Sequence, residues 1–240
     1  MYTLNKKMKA ILLSAGFGTR LRPLTEATPK CLLAINDKPL LYHWLDLLEN
    51  DHVSEVLINT HHLAEQVNDA IKKRNNKIKI TLVYEPELLG SAGTIIANKK
   101  FFEGEEDFFL LYSDNLTNIS LSSILDFHKK VDSVFTTYVY ETDNPTQKGI
   151  FEYDIKTGKV ISFEEKPAHP KSNCANAGIG VLSRKVFDYY PSAYKFPFDF
   201  GKSIMPLLTD NMYVLKTDKY IIDIGSIKDY NDAREIWKSI

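Results

Sequence analysis

Cysteine is scarce in this chain. Cys31 and Cys174 are the two among 240 residues, which excludes a disulfide framework and any C-x-x-C redox or metal motif. Both read as buried or incidental thiols. A charge excess of one sign is missing as well: 30 Lys and Arg stand against 31 Asp and Glu, a formal charge of -1. No general field then draws the chain to nucleic acid or to an anionic membrane, and any phosphate binding has to be local. Long apolar runs are also absent. The lysine-bearing stretch Met1 to Lys9 is followed only by Ala10-Ile11-Leu12-Leu13, far too short for a signal-peptide core or a membrane span. The expectation is a cytoplasmic chain with neither nucleic-acid nor membrane partners. Internal repeats, low-complexity tracts and flexible linkers are missing too, and His61-His62 has no third ligand at metal spacing, so it reads as a loop pair.

What is present is the composition of an ordinary folded protein, 44% hydrophobic and 25% charged. The length suits one domain over residues 1–240. Apolar runs of strand length recur at Ala10–Leu13, Glu55–Ile58, Ile78–Val83, Phe108–Tyr112 and Val134–Val139. Helix-period segments lie between them: Leu41, Trp44, Leu45 and Leu48, then Leu63 to Arg74, then Leu121, Ile124, Leu125 and His128. This alternation predicts an α/β fold, a mostly parallel twisted sheet flanked by helices on both faces. After residue 140 the rhythm changes. Gly149–Tyr153 and Lys159–Phe163 flank the turn-rich Asp154-Ile155-Lys156-Thr157-Gly158 and predict a hairpin in a smaller β-rich insertion. Ser226-Ile227-Lys228-Asp229 has a capping-box pattern and opens a last helix with Tyr230, Ala233, Trp237 and Ile240 on one face.

One early stretch asks for chemistry. Leu12-Leu13-Ser14-Ala15-Gly16-Phe17-Gly18-Thr19-Arg20-Leu21-Arg22 leaves an apolar strand through two glycines and then places two arginines. Glycine allows backbone N–H groups to approach an anion closely, and the arginines add side-chain charge to the same turn. With Lys30 just downstream, the donor set suits a triphosphate. It is neither a P-loop nor a dinucleotide fingerprint, since Leu21 stands where the third glycine would fall.

The longer string Ala15–Thr25 followed by Pro29-Lys30 resembles the signature of the sugar-1-phosphate nucleotidyltransferases. The similarity continues in order through Leu89-Gly90-Ser91-Ala92-Gly93, Ser113-Asp114-Asn115, Glu165-Lys166-Pro167, Asn176-Ala177-Gly178-Ile179 and Asp223-Ile224-Gly225-Ser226. Two departures stand out: Cys31 replaces the second proline of the family's Pro-Lys-Pro, and Ser113 replaces its usual glycine. The resemblance implies a Rossmann-like three-layer α/β/α fold, with residues 1–140 mainly binding nucleotide and 141–240 mainly binding sugar phosphate. It implies no β-helix tail, and it leaves a homo-oligomer open.

The family reaction is an in-line attack of a sugar 1-phosphate oxygen on the α-phosphorus of a nucleoside triphosphate, which needs positioning and charge neutralisation. By resemblance, the catalytic set is Arg20 on the leaving pyrophosphate, Lys30 beside the α-phosphate, and Asp114 with Asp223 as ligands of Mg²⁺. The nucleotide would lie against Leu13, Ala15, Gly16, Gly18, Thr19, Gly90 and Ser91, and the sugar phosphate against Gly149, Glu165, Lys166 and Asn176. The Leu-Gly-Ser-Ala-Gly form favours GTP over UTP, dTTP or CTP. The resemblance is strongest to short bacterial guanylyltransferases of surface-polysaccharide precursor synthesis, implying a manno-configured acceptor, mannose or heptose 1-phosphate.

Two rival readings stay open on residues alone. One is a non-catalytic nucleotide- or sugar-phosphate-binding subunit on the same fold. The other is a nucleotide-sugar-dependent glycosyltransferase, for which Ser113-Asp114-Asn115 lacks the D-x-D pattern. The cluster Tyr189, Tyr190, Tyr194, Phe196, Phe198 and Phe200 reads as core, with interface or sugar-pocket wall as the alternatives.

Overall fold

The computed structural model describes residues 8–51 and 53–238. Met1 to Lys7 and Ile240, the last position expected on the final helix's apolar face, lie outside the described residues. The chain forms two compact units that interleave in sequence: residues 1–88, 112–119 and 219–240 make the first, and residues 89–111 and 120–218 the second.

In the first unit, strands Met8–Leu13, Val53–Thr60 and Lys79–Tyr84 pair in parallel, in that order. Parallel neighbours need a crossover, and helices Leu40–Asn50 and Ala64–Lys73 supply the two. Ala10, Ile11 and Leu12 are each 0% exposed, so the first strand is covered on both faces. That is why it reads as a continuous apolar run rather than an alternation. An antiparallel pair, Asn115–Thr117 with Ile221–Asp223, completes the unit's longer strands. Helix Ile227–Ile236 follows, capped at Ser226, whose Oγ accepts from Asp229 N at 3.2 Å and donates to Asp229 Oδ2 at 2.6 Å. The expected capping residue is therefore present, but the acid answers its hydroxyl. On the expected face, Ala233 is buried, the Tyr230 hydroxyl donates to Ala34 O, and Trp237 meets His43 edge-on.

The second unit is built on antiparallel pairing. The predicted hairpin is present as Gly149–Tyr153 with Val160–Glu165. The ten-residue strand Cys174–Ser183 pairs antiparallel with Asp107–Tyr112 and with Phe135–Glu141, and touches the hairpin at Ala175. Phe135–Glu141 in turn pairs in parallel with Met212–Lys216. Helices Ser91–Ala97 and Leu121–Val131 belong to this unit. Its aromatic core includes Phe102 stacked on Phe108 at 3.9 Å between centroids, with Phe187 beside them. Among the described residues, no helix is long and apolar enough to cross a membrane.

The first unit also carries a charge cluster unrelated to any motif. Arg74 Nη1 and Nη2 donate to Glu49 Oε1 and Oε2 at 2.6 and 2.8 Å, and Nη2 reaches Asp46 Oδ1 at 2.5 Å. Lys38 pairs with the other Asp46 oxygen. The two-oxygen grip of a guanidinium is the strong form of an ion pair, and the Arg74 and Glu49 side chains are only 11% and 7% exposed. Replacing Arg74 by Ala should cost about 2–3 kcal/mol by leaving Glu49 without its fork. The Arg74 guanidinium holds the Glu49 carboxyl below its ordinary value of 4.5. That stabilisation is therefore complete above pH 4.5 and fades as acid titrates the group. Urea unfolding of Arg74→Ala should show a large deficit at pH 7 that shrinks toward roughly pH 3; an equal deficit at both would mean that packing, not charge, was lost.

Candidate active site

The opening loop leaves the first strand at Leu13, whose carbonyl accepts from Ser113 N at 3.0 Å. Ala15 is buried, while Gly16 is exposed with nothing within 4 Å of where a Cβ would stand. Gly18 has φ +63°, and its carbonyl accepts from Thr25 Oγ1 and Leu21 N, each at 2.9 Å. A 3₁₀ turn, Thr19–Leu21, follows and presents Arg20 to solvent. The loop is clamped from one side by the histidine pair. Phe17 sits against the rings of His61 and His62, at 4.9 and 5.8 Å, and the two imidazoles engage Glu85 O and Thr25 O. The expected loop pair is thus a support for the turn.

Two acids and two cations gather in this unit. Lys30 Nζ bonds Asp114 Oδ2 at 2.8 Å, the lysine side chain being 14% exposed and the aspartate 37%. Asp114 stands two residues past the strand that ends at Tyr112, as the sequence predicts. Asp223 pairs in register with Asn115, and Ile224 N donates to Asp114 O at 2.9 Å, so the two aspartates occupy neighbouring positions on paired segments. Arg20 joins them through Gly225. A Cβ at that glycine would stand 3.3 and 3.5 Å from the Arg20 Nη2 and Nη1 atoms and 3.4 Å from Asp223 Oδ1. Gly225 is therefore the floor on which guanidinium and carboxyl meet, a role beyond its place in the motif.

Among the described residues, no group of three or more His, Cys, Asp or Glu side chains forms a metal cluster. The Asp114 and Asp223 pair nevertheless suits a hard divalent cation of the magnesium kind. Such an ion takes one or two protein carboxylates and draws its other ligands from phosphates and water. Asp223 Oδ1 is buried beside Gly225.

The second unit holds the other expected residues. Gly149 faces Glu165 across the hairpin register, and a Cβ there would stand 2.7 Å from Glu165 Oε2. A Cβ at Gly201 would stand 2.9 Å from the same oxygen. The Glu165 carboxyl is thus packed between two glycines, and its pKa is raised, first by burial and then by the neighbouring Asp199. Lys166 takes the left-handed conformation, φ 53°, with its N–H bonded to Lys148 O at 2.9 Å.

Ser91 and Asn176 are engaged by the protein itself. Ser91 Oγ accepts from Phe200 N at 2.7 Å and donates to Asp199 Oδ2 at 3.2 Å. Asn176 Oδ1 accepts from Thr137 Oγ1 and Gly178 N, at 2.9 and 3.1 Å. Gly90, φ +78°, lies so close to the Phe198 backbone that a Cβ would meet its nitrogen and oxygen at 2.6 Å. Phe198 N donates to Leu89 O and Gly93 N to Phe198 O, so residues 89–93 and 198–200 are zipped together. Of the aromatic cluster, Phe200 is core, whereas Tyr194 and Phe196 remain exposed. Asp199 and Gly201 were not singled out in the sequence; the signal available was the Asp-Phe-Gly string after an aromatic run. Cys31 is buried, which pushes its thiol up to about 12 and leaves it inert at neutral pH.

The family model described as Nucleotidyl transferase matches residues 9–239. Mannose-1-phosphate guanylyltransferase 1 of Arabidopsis thaliana is 34% identical over 229 residues, which is 93% of this chain and 63% of that protein. The chain spans about three fifths of the length of the curated relatives it matches. Among solved structures, HddC from Yersinia pseudotuberculosis superposes with a TM-score of 0.80 at 27% identity, covering 96% of this chain and 99% of that one, and it is also known in complex with GMP-PN. UDP-glucose pyrophosphorylase complexed with UDP-glucose gives a TM-score of 0.83 at 18% identity, covering 98% and 99% of the two chains, a likeness of fold alone. These superpositions establish the α/β class that the strand and helix alternation predicts, in the Rossmann-like form that the family resemblance implies.

The raised pKa of Glu165 makes a testable statement about stability. The folded protein disfavours the ionised carboxyl, so wild type loses stability as pH rises through the folded-state value, and a neutral side chain escapes the loss. Glu165→Gln should melt higher than wild type at pH 8, with the gain vanishing as pH falls to 4.5, the ordinary glutamate value. A lower melting temperature at pH 8 would show that the carboxyl is stabilised where it stands.

Proposed function

Since the chain belongs to the nucleotidyl transferase family, we propose that it transfers the nucleoside monophosphate part of a nucleoside triphosphate to a sugar 1-phosphate, releasing pyrophosphate, in the cytoplasm. GTP is the donor and a manno-configured sugar, mannose or heptose 1-phosphate, the acceptor. The observation that carries the reaction class is the meeting of Lys30 with Asp114, 84 residues apart in sequence, beside Asp223 and Arg20. Support for guanine and a manno sugar comes from relatives named mannose-1-phosphate guanylyltransferase and from the HddC complex with GMP-PN.

In this reading an oxygen of the sugar phosphate forms a bond to the α-phosphorus as the bond from that phosphorus to the bridging β-phosphate oxygen breaks. Both partners are anions, so the protein has to neutralise and align them. Open N–H groups of the Ala15–Gly18 loop receive the phosphates, with Gly16 leaving that face clear. Arg20, exposed and permanently charged, stabilises the pyrophosphate as charge collects on it. Lys30 neutralises Asp114 while no phosphate is present and turns to the α-phosphate when one arrives. Asp114 and Asp223 would hold Mg²⁺, which when bound would neutralise phosphate oxygens as a Lewis acid. Glu165, enclosed between Gly149 and Gly201, accepts from a sugar hydroxyl, and Lys166 contacts the sugar's phosphate.

The direct test is pyrophosphate release with Mg²⁺, pairing GTP, UTP, dTTP, CTP and ATP with glucose, mannose, N-acetylglucosamine and heptose 1-phosphates. Turnover should be confined to GTP with a manno-configured acceptor; turnover with UTP and glucose 1-phosphate alone would replace the substrates and keep the reaction. Arg20→Ala should lower kcat on the order of a hundredfold with little change in the sugar-phosphate KM. Asp114→Asn should be inactive at limiting Mg²⁺ while keeping the wild-type melting temperature. Wild-type turnover by Asp114→Asn under that condition would remove the metal role.

A further inference from the structure

Behind the glycine loop lies a set of buried polar groups that the reaction above does not use. Asn59 and Glu85 are 4% and 2% exposed. Asn59 Oδ1 accepts the Ser14 N–H at 2.7 Å, and Asn59 Nδ2 donates to Glu85 Oε1 at 2.9 Å. Glu85 is itself fixed by its backbone: its N–H donates to Thr60 O at 2.8 Å, and its carbonyl faces His61 Nδ1 at 2.7 Å. The His61 ring then meets Phe17 of the loop.

The chemistry of these atoms sets their order. A backbone N–H can only donate, so Ser14 dictates that the amide oxygen of Asn59 faces the loop. The amide nitrogen must then point the other way, where it needs a buried acceptor, and Glu85 supplies one. Position matters equally. The strand Met8–Leu13 pairs with its neighbour as far as Leu12 opposite Ile58, and Asn59 is the next residue on that neighbour. The Asn59 side chain therefore takes over where the backbone ladder stops, and carries its support to the first residue of the loop.

We propose that Asn59 and Glu85 are positioning residues for the phosphate-binding loop: the relay Glu85–Asn59–Ser14 fixes the direction in which the chain leaves the strand, and with it the aim of the N–H groups from Ala15 to Gly18. The inference rests on the proposed reading of that loop as the triphosphate site. The relay itself is a structural statement that does not need the reaction, so the two are separable by experiment.

The test reverses the relay's polarity in the full chain. Asn59→Asp keeps an oxygen for Ser14 but sets a second oxygen against Glu85. Glu85→Gln keeps an acceptor for Asn59, and in the double variant Asn59→Asp/Glu85→Gln the new amide donates back to Asp. Asn59→Asp should raise the GTP KM about tenfold while the sugar-phosphate KM moves less than about twofold. The double variant should recover most of that loss, and Glu85→Gln alone should stay within about threefold of wild type. Hydrogen exchange of peptides covering residues 12–20, read by mass spectrometry without substrates, should quicken in Asn59→Asp and slow again in the double variant. Glu85→Ala, which strands the amide nitrogen, should quicken exchange too, and serves if Asn59→Asp does not fold. A double variant that exchanges as fast as Asn59→Asp would overturn the relay, whatever the wild-type enzyme's activity. So would a change in the preferred nucleobase in Glu85→Gln with loop exchange unaltered, because Glu85 would then act on the base. Absence of transferase activity in wild type together with the predicted exchange pattern would reject the proposed reaction and leave the relay standing.

Discussion

A lysine ammonium largely withdrawn from water needs a counter-charge, and here an acid supplies it. The 2.8 Å pair of Lys30 and Asp114 ties a turn near the start of the chain to the segment after the strand that ends at Tyr112. An isolated ammonium that is 14% exposed would be costly to hold in place, and so would two bare carboxyls side by side. Arranged as two cations and two acids, Arg20, Lys30, Asp114 and Asp223 carry no net charge, so folding does not work against their repulsion. In the proposed reaction a polyphosphate, carrying more negative charge than an aspartate, would draw Lys30 away from Asp114, and a neutral sugar would not.

Glycines at these positions act by what they leave out. Gly225 lets the Arg20 guanidinium lie against backbone, and Gly149 and Gly201 bring backbone to the Glu165 carboxyl from both sides. A carboxyl so enclosed loses water without gaining a full replacement, and its raised pKa records that loss. Stability is given up at this one acid, and the proposed reaction would use it as an acceptor for a sugar hydroxyl. The Arg74 fork is the opposite case. There, acids are held below their ordinary range by a partner that never leaves, which is what a purely structural pair looks like.

How much of this was legible depended on whether the signal was local. Buried strands such as Met8–Leu13 and Asp107–Tyr112 announce themselves as apolar runs, because coverage on both faces removes the need for polar residues. The strand Cys174–Ser183 was not read as one element. Its Gly178 and Gly180 weaken strand propensity, and its pairing slips between Asn176 and Gly180. Gly180 is there because the Thr136 carbonyl lies 2.5 Å from where a side chain would begin, a tertiary fact with no local trace. The collinear motifs carried Arg20, Lys30, Asp114 and Asp223 onto one unit of the structure. Asn59 and Glu85 were invisible for the converse reason: each is a single polar residue in or beside a strand, and only burial and hydrogen bonding mark them out.

The interleaving of the two units bears on the order in which the protein comes into being. Synthesis runs from the N-terminal side, so the loop with Arg20 and the turn with Lys30 precede Asp114, which joins them once residues 112–119 have emerged. Asp223 follows only after the whole of the second unit has been made, because residues 219–240 belong to the first unit. Until then Asn115–Thr117 lacks the strand it pairs with. A chain still on the ribosome can thus hold Arg20, Lys30 and Asp114 while Asp223 is missing, and the four come together only once residues 219–240 have emerged.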